Sequence, residues 1–360
     1  MMHPIGVYIV VGVPMLLGLP LLGLWWAGKD LSAYLEFPPV TRYVVHEPFS
    51  WMVFSGMSIF VLVMVLPFAV RWFRARSCEP LPRTWKFPWW GYGALTAGVV
   101  FWILAWSRFS WFEAFQEHTF TPLWLCYILS VNALSLKRSG SCTMLEKPLR
   151  FLALFPFSAA FWWFFEYLNR FVQNWYYVEV QRFSSMEYFS LASLSFSTVL
   201  PAVMSTRELV LTSPSLQRVF TAGWSVRPAN SRIMGFCLLT GFGIGLALIG
   251  VLPNVLYPLL WVSPLVIIVS LQAIMEESHI LSPTARGDWR LVVSSTLAAL
   301  ICGWFWEMWN YFSLAKWAYS VPYVQRFLIF EMPLIGFAGY LPFGLECAVI
   351  GQMILEREDR

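Results

Sequence analysis

Trp163-Phe164-Phe165-Glu166-Tyr167-Leu168-Asn169 reappears later in the chain as Trp304-Phe305-Trp306-Glu307-Met308-Trp309-Asn310, with an aromatic pair, an acid and an amide in one register. Three further matches follow in the same order. Trp175-x-Tyr177 recurs as Trp317-x-Tyr319, and Val180-Gln181-Arg182-Phe183-x-x-x-Glu187 recurs as Val324-Gln325-Arg326-Phe327-x-x-x-Glu331. Phe196-x-x-x-Leu200-Pro201 then recurs as Phe337-x-x-x-Leu341-Pro342. Shared composition produces single matches, not ordered blocks that keep Glu-x-x-Asn and Gln-Arg at fixed offsets. The pattern reads as an internal duplication. Weaker echoes carry it upstream: Gly91-Tyr92-x-x-Leu95-Thr96 matches Gly235-Phe236-x-x-Leu239-Thr240, and Leu123-Trp124 matches Leu260-Trp261.

The surrounding composition sets the class. The 360 residues are 58% hydrophobic and only 12% charged, with a mean hydropathy of +0.62. A soluble domain carries about 25% charged residues, so this chain lacks the groups to cover a water-facing surface. Aromatic residues make up 18% and include 21 Trp, the residue that favours the membrane–water boundary. A net charge of +4 needs no nucleic-acid partner, because positive loops orient membrane proteins in any case. The Met1-Met2-His3-Pro4 start has no basic region before its apolar run, so no cleaved signal peptide is expected.

A spanning helix needs about 20 mainly apolar residues. Runs of that kind predict about ten transmembrane helices, near 5–27, 50–70, 88–106, 120–136, 149–171, 187–206, 233–252, 256–274, 291–314 and 328–354. The expected fold class is therefore an all-α integral membrane protein. Two N-terminal helices (1–87) precede a four-helix unit at 88–206, a polar cytoplasmic linker at 207–232 and a second four-helix unit at 233–360. Four is even, so both units enter and leave on one side and are expected to be parallel repeats about an axis along the membrane normal.

Lys29, Arg42, Arg108, Arg170, Arg182, Lys316 and Arg326 fall on one side of this topology, and the remaining Lys and Arg on the other. The excess predicts cytoplasmic termini and a multi-pass protein of the cell's inner (plasma) membrane.

The duplicated polar residues share an address at the exoplasmic side. Glu166 and Asn169 lie three apart on one helical face near the end of their helix, as do Glu307 and Asn310. Arg182 and Glu187 follow in the loop and at the next helix entry, and Arg326 and Glu331 repeat that placement. A carboxyl among aromatic rings loses hydration unless a cation sits near, and Arg182 and Arg326 are the nearest candidates in sequence. The set reads either as a ligand site between the copies, since intramembrane acids are functional suspects, or as an architectural clamp inherited from the single unit. Glu346 stands apart: it lies past Pro342 in the last helix, its counterpart is Ser205, and it is a candidate for a proton, a cation or a buried polar partner.

No cofactor or metal site is expected. The six cysteines lack C-x-x-C spacing, and buried thiols serve as small apolar side chains. No two histidines face each other across an expected helix pair, which argues against a bis-histidine haem. His46-Glu47 and Glu117-His118 lie exoplasmically, where a metal site is conceivable, and these and cytoplasmic Glu276-Glu277-x-His279 read more simply as solvated boundary groups. Walker, dinucleotide, G-x-S-x-G and H-E-x-x-H motifs are absent.

The leading expectation is a protein that binds or transports an apolar or amphiphilic small molecule, with membrane lipids as its neighbours. A second is an integral-membrane enzyme acting on a lipid or isoprenoid, with Glu166 or Glu307 as general acid. The aromatic-rich tandem-unit design resembles membrane-type lycopene cyclases. Their paired-acid proline motif is absent here, so no residue is carried over. A third is a scaffold that docks a membrane-protein partner on its Trp-rich loops.

Overall fold

The computed structural model describes residues 4–74 and 84–356. His3, Arg76, Cys78, Arg83, Arg357 and Arg360, which enter the charge and metal-ligand arguments above, lie outside the described residues. In chain order the long helices are α1 (Tyr8–Trp26), α2 (Trp51–Arg74), α3 (Trp89–Trp106), α4 (Phe120–Ser139), α5 (Pro148–Val172), α6 (Ser185–Leu211), α7 (Ser231–Leu248), α8 (Ser263–Ile274), α9 (Arg290–Tyr311) and α10 (Leu334–Leu355). Eight are long and apolar enough to cross a bilayer by themselves. α4 and α8 reach that standard only with the short helix before each. Ser110–His118 meets α4 at 67° and Pro253–Leu260 meets α8 at 55°. The chain is thus a helical, multi-pass membrane protein, with eight to ten helices able to cross a bilayer among the described residues.

Three expected segments depart from the structure: α6 runs to Leu211, into the expected 207–232 linker, which also holds a short helix at Pro214–Phe220 with Leu216, Val219 and Phe220 buried, and two apolar runs are broken. The run at 328–354 does not begin as a helix. Leu328–Ile329 and Met332–Pro333 pair as a short antiparallel hairpin, and α10 starts after it. Phe327 and Phe330 adopt positive φ (54° and 57°), a left-handed conformation that a right-handed helix cannot contain, and Pro333 has no N–H to donate to a first turn. Glu331 therefore sits in a hairpin turn. The run at 256–274 is likewise broken, with Pro258 and Pro264 flanking the bend before α8.

The loops gather at two ends. At one, the Arg42 N–H donates to Gln173 Oε1 (2.8 Å), Lys29 to the Gly250 carbonyl (3.0 Å) and Arg108 to the Phe312 carbonyl (2.6 Å). At the other, Arg71 donates to the Val219 carbonyl (2.7 Å), Arg150 to the Leu355 carbonyl (3.0 Å) and Arg227 to the Ala285 carbonyl (2.6 Å).

The core lies where α5, α6, α9 and α10 meet, filled by Phe165, Leu200, Trp306 and Phe343. Helices close up there because Gly344 has no side chain: a Cβ would collide with the Ser295 carbonyl of α9, and small residues at such crossings let backbones approach. α2 differs, since none of its residues is buried.

At the first end, β1 (Trp175–Tyr177) pairs antiparallel with β2 (Trp317–Tyr319). Trp175 stands opposite Tyr319, Tyr176 opposite Ala318 and Tyr177 opposite Trp317. The flanking bonds are images of each other: Val178 N–H donates to the Lys316 carbonyl and Ser320 N–H to the Asn174 carbonyl, both at 2.9 Å.

Candidate functional site: two buried acids behind an aromatic chamber

Helix α5 ends at Gln173, whose left-handed φ of 51° turns the chain back while its N–H still bonds the Asn169 carbonyl. The returning strand needs backbone partners in an apolar setting, and Asn169 supplies them. Its Oδ1 accepts from the N–H of Asn174 (2.8 Å) and its Nδ2 donates to the Trp175 carbonyl (2.7 Å). Asn310 repeats the clamp on Trp317, accepting from the N–H at 2.9 Å and donating to the carbonyl at 2.8 Å.

A strand held this way turns its rings toward the acid one helical turn earlier. Glu166 Oε1 accepts from Trp162 Nε1 (3.0 Å), Trp175 Nε1 (3.0 Å) and the Tyr177 hydroxyl (2.7 Å). Glu307 Oε1 accepts from the hydroxyls of Tyr319 (2.6 Å) and Tyr340 (2.8 Å), while Trp317 Nε1 donates to the Tyr319 oxygen (2.9 Å). Both acids are 0% exposed, and the Oε2 atom of each has no hydrogen-bond partner among the described residues. Burial, and then the adjacent Glu166 carboxylate, hold the Tyr177 phenol well above its usual range; burial and Glu307 do the same to Tyr319. Both phenols therefore remain donors.

The expected counter-ions are elsewhere. Arg182 pairs with Glu117, and the Arg326 guanidinium lies over the rings of Phe49 (5.1 Å) and Trp51 (5.6 Å). The reason is positional: both arginines follow the strand and stay in the exposed loop layer, whereas the acids lie inside the helix bundle and are served by uncharged donors. Glu187 and Glu331 diverge from each other. Glu187 caps α6, exchanging bonds with Ser184, while Glu331 holds Lys316 at 2.5 Å. Glu346, 2% exposed, accepts from the Leu265 N–H (3.0 Å) near the start of α8, where the positive end of a helix favours an acid. Its counterpart Ser205 accepts from Asn132 of α4 (2.8 Å). Of the nine residues singled out, the structure brings together Glu166, Asn169, Glu307 and Asn310, ties Arg182 and Glu331 to the chamber only through their partners Glu117 and Lys316, and sets Glu187, Arg326 and Glu346 apart.

A cavity of about 150 Å³ lies against the donors of both acids, lined by Trp162, Trp175, Tyr177, Trp306, Tyr319 and Tyr340. Lys316 and Glu117 also line it. A larger apolar groove of about 840 Å³ runs between α2 and the body, lined by Phe60 and Met64 of α2 and by Leu297 and Leu300 of α9. Chamber and groove share a wall made by Trp175, Trp261, Tyr319, Met332, Gly336 and Gly339.

Sequence reasoning missed Trp162 and Tyr340. Their signal was a mismatch inside matched blocks. Gly303 occupies the place of Trp162, and Val199 the place of Tyr340. Among the described residues no three His, Cys, Asp or Glu side chains are grouped to hold a metal ion. Comparison of the chain with known protein families, characterised proteins and solved structures finds no match.

Proposed function

We propose that this protein binds an apolar or amphiphilic molecule drawn laterally from the bilayer, as a multi-pass protein of the inner (plasma) membrane with both termini in the cytoplasm. The observation that supports this reading is the shared wall. A chain lying in the groove against α2 touches residues that also line the chamber beside the two acids. Ligand sites are concave and mostly apolar, with a few placed polar groups, and this pair of cavities has that character.

In the same reading, 88–206 and 233–360 are duplicated units related by a pseudo-two-fold axis along the membrane normal. The axis passes between Tyr176 and Ala318, since exchanging the units exchanges Trp175 with Trp317 and Tyr177 with Tyr319 and leaves the strand register unchanged. The chamber then lies on the boundary of the two units, where one ligand meets both.

The test is photolabelling in native lipid discs with a fatty alcohol carrying a diazirine on its chain. Label is expected on Met332 or Trp261 and on α2 near Met64, and Gly339→Phe should reduce it several-fold. Label spread evenly over all exposed helices, unchanged by Gly339→Phe, would reject the site.

A further inference from the structure

The walls of the chamber are rich in aromatic rings, with Lys316 and Glu117 also on the lining, and the polar groups of several rings are already committed. The N–H or O–H groups of Trp162, Trp175 and Tyr177 are committed to Glu166, and the hydroxyls of Tyr319 and Tyr340 to Glu307. What the rings offer a guest is their π surface. Each ring that donates to a carboxylate becomes more electron-rich, which strengthens its attraction for a cation. Among the described residues no cation answers the two acids. Arg182 is paired with Glu117, Lys316 with Glu331, and Arg326 lies over Phe49, Trp51 and Phe327. The result is a cage of rings backed by two carboxyl groups that meet only uncharged donors.

Resting on the lateral-binding reading above, we infer that the chamber receives the alkylammonium head of a cationic amphiphile, with its hydrocarbon tail in the α2 groove. Aromatic cages are the established solution for quaternary ammonium groups, because such cations carry no N–H and bind through ring faces. The size agrees, since an apolar cavity of about 150 Å³ holds a benzene-sized group, and a trimethylammonium head is no larger. A lone inorganic ion would leave this chamber mostly unfilled. The tail accounts for the groove, whose lining is apolar along α2 and α9.

The experiment uses the full chain in neutral maltoside micelles and counts bound probe by native mass spectrometry. Three probes separate the parts of the claim: dodecyltrimethylammonium, its uncharged isostere with a tert-butyl terminus, and tetramethylammonium without a tail. In the unmodified protein the cationic amphiphile should bind roughly tenfold or more tightly than its isostere, the scale of a desolvated cation–π site. Tetramethylammonium should bind weakly but compete with it. The paired substitution Glu166→Gln with Glu307→Gln keeps an acceptor for the converging donors and should lower the ratio of cationic-amphiphile to isostere binding several-fold. Equal binding of the two amphiphiles overturns the cation inference and leaves the lateral-binding reading standing. Failure of both to bind overturns both. Tight tetramethylammonium binding with no gain from the tail keeps the cation cage but overturns the tail's place in the groove. The unmodified-protein comparison needs no variant, so a misfolded double variant does not rescue the idea.

Discussion

Glu166 and Glu307 occupy matching places in matching blocks, yet they are served by different hands. In the first cluster the extra donor is Trp162, one turn before the acid on the same helix. In the second that position is Gly303, and the donor is Tyr340 from α10. The exchange is steric as well as chemical: a Cβ at Gly303 would collide with the Tyr340 ring, and the residue matching Tyr340 in the first cluster is the smaller Val199. In the second cluster the space beside position 303 thus admits one large ring, that of Tyr340. The lesson is that a buried acid constrains the number of donors around it more than their origin. An unanswered buried polar atom carries a desolvation penalty whichever helix could have supplied the partner.

The largest effect should come from deleting an acid. Glu166→Leu strands three buried donors, at roughly 1–3 kcal/mol each, whereas Glu307→Leu strands two, because Trp317 still bonds Tyr319. Thermal unfolding in detergent should show both variants strongly destabilised, with Glu166→Leu the worse. The reverse order would break the donor-count argument.

An intermediate effect tests the exchange itself. Gly303→Ala should destabilise by about 1–3 kcal/mol through overpacking against Tyr340. Combined with Tyr340→Val, which restores space as in the first cluster, the penalty should be clearly less than the sum of the single changes. Strict additivity in such a double-mutant cycle would mean the two positions do not share one space.

The smallest effect belongs to the arginines. Arg182→Ala and Arg326→Ala should each change stability by no more than about 1 kcal/mol, the range for exposed ion pairs and exposed cation–π contacts. A loss comparable with that of Glu166→Leu would reinstate them as counter-ions of the buried acids.

Much of the site was legible before the fold. The pairs Glu166 with Asn169 and Glu307 with Asn310, and the Trp-x-Tyr strands after them, were visible because they act through local geometry: three residues on a helix face, then a short return. Arg182, Arg326, Glu187 and Glu331 looked equally duplicated and proved to do unlike things, since an exposed loop side chain takes whichever partner its own surroundings present. Trp162 and Tyr340 were hidden because the comparison rewards identity, and their role is carried by a compensating difference.

The sequence by itself determined that this is a helical membrane chain, because apolar run length and charge scarcity act residue by residue and need no knowledge of neighbours. It also exposed the ordered repeats of the acid–amide blocks. Only the tertiary structure decided that the two Trp-x-Tyr strands pair with each other, that the α10 region opens with a hairpin, and which rings reach which acid. Those outcomes depend on atoms from separate helices arriving within about 3 Å, the reach of a hydrogen bond, and that distance is set by packing rather than by spacing along the chain.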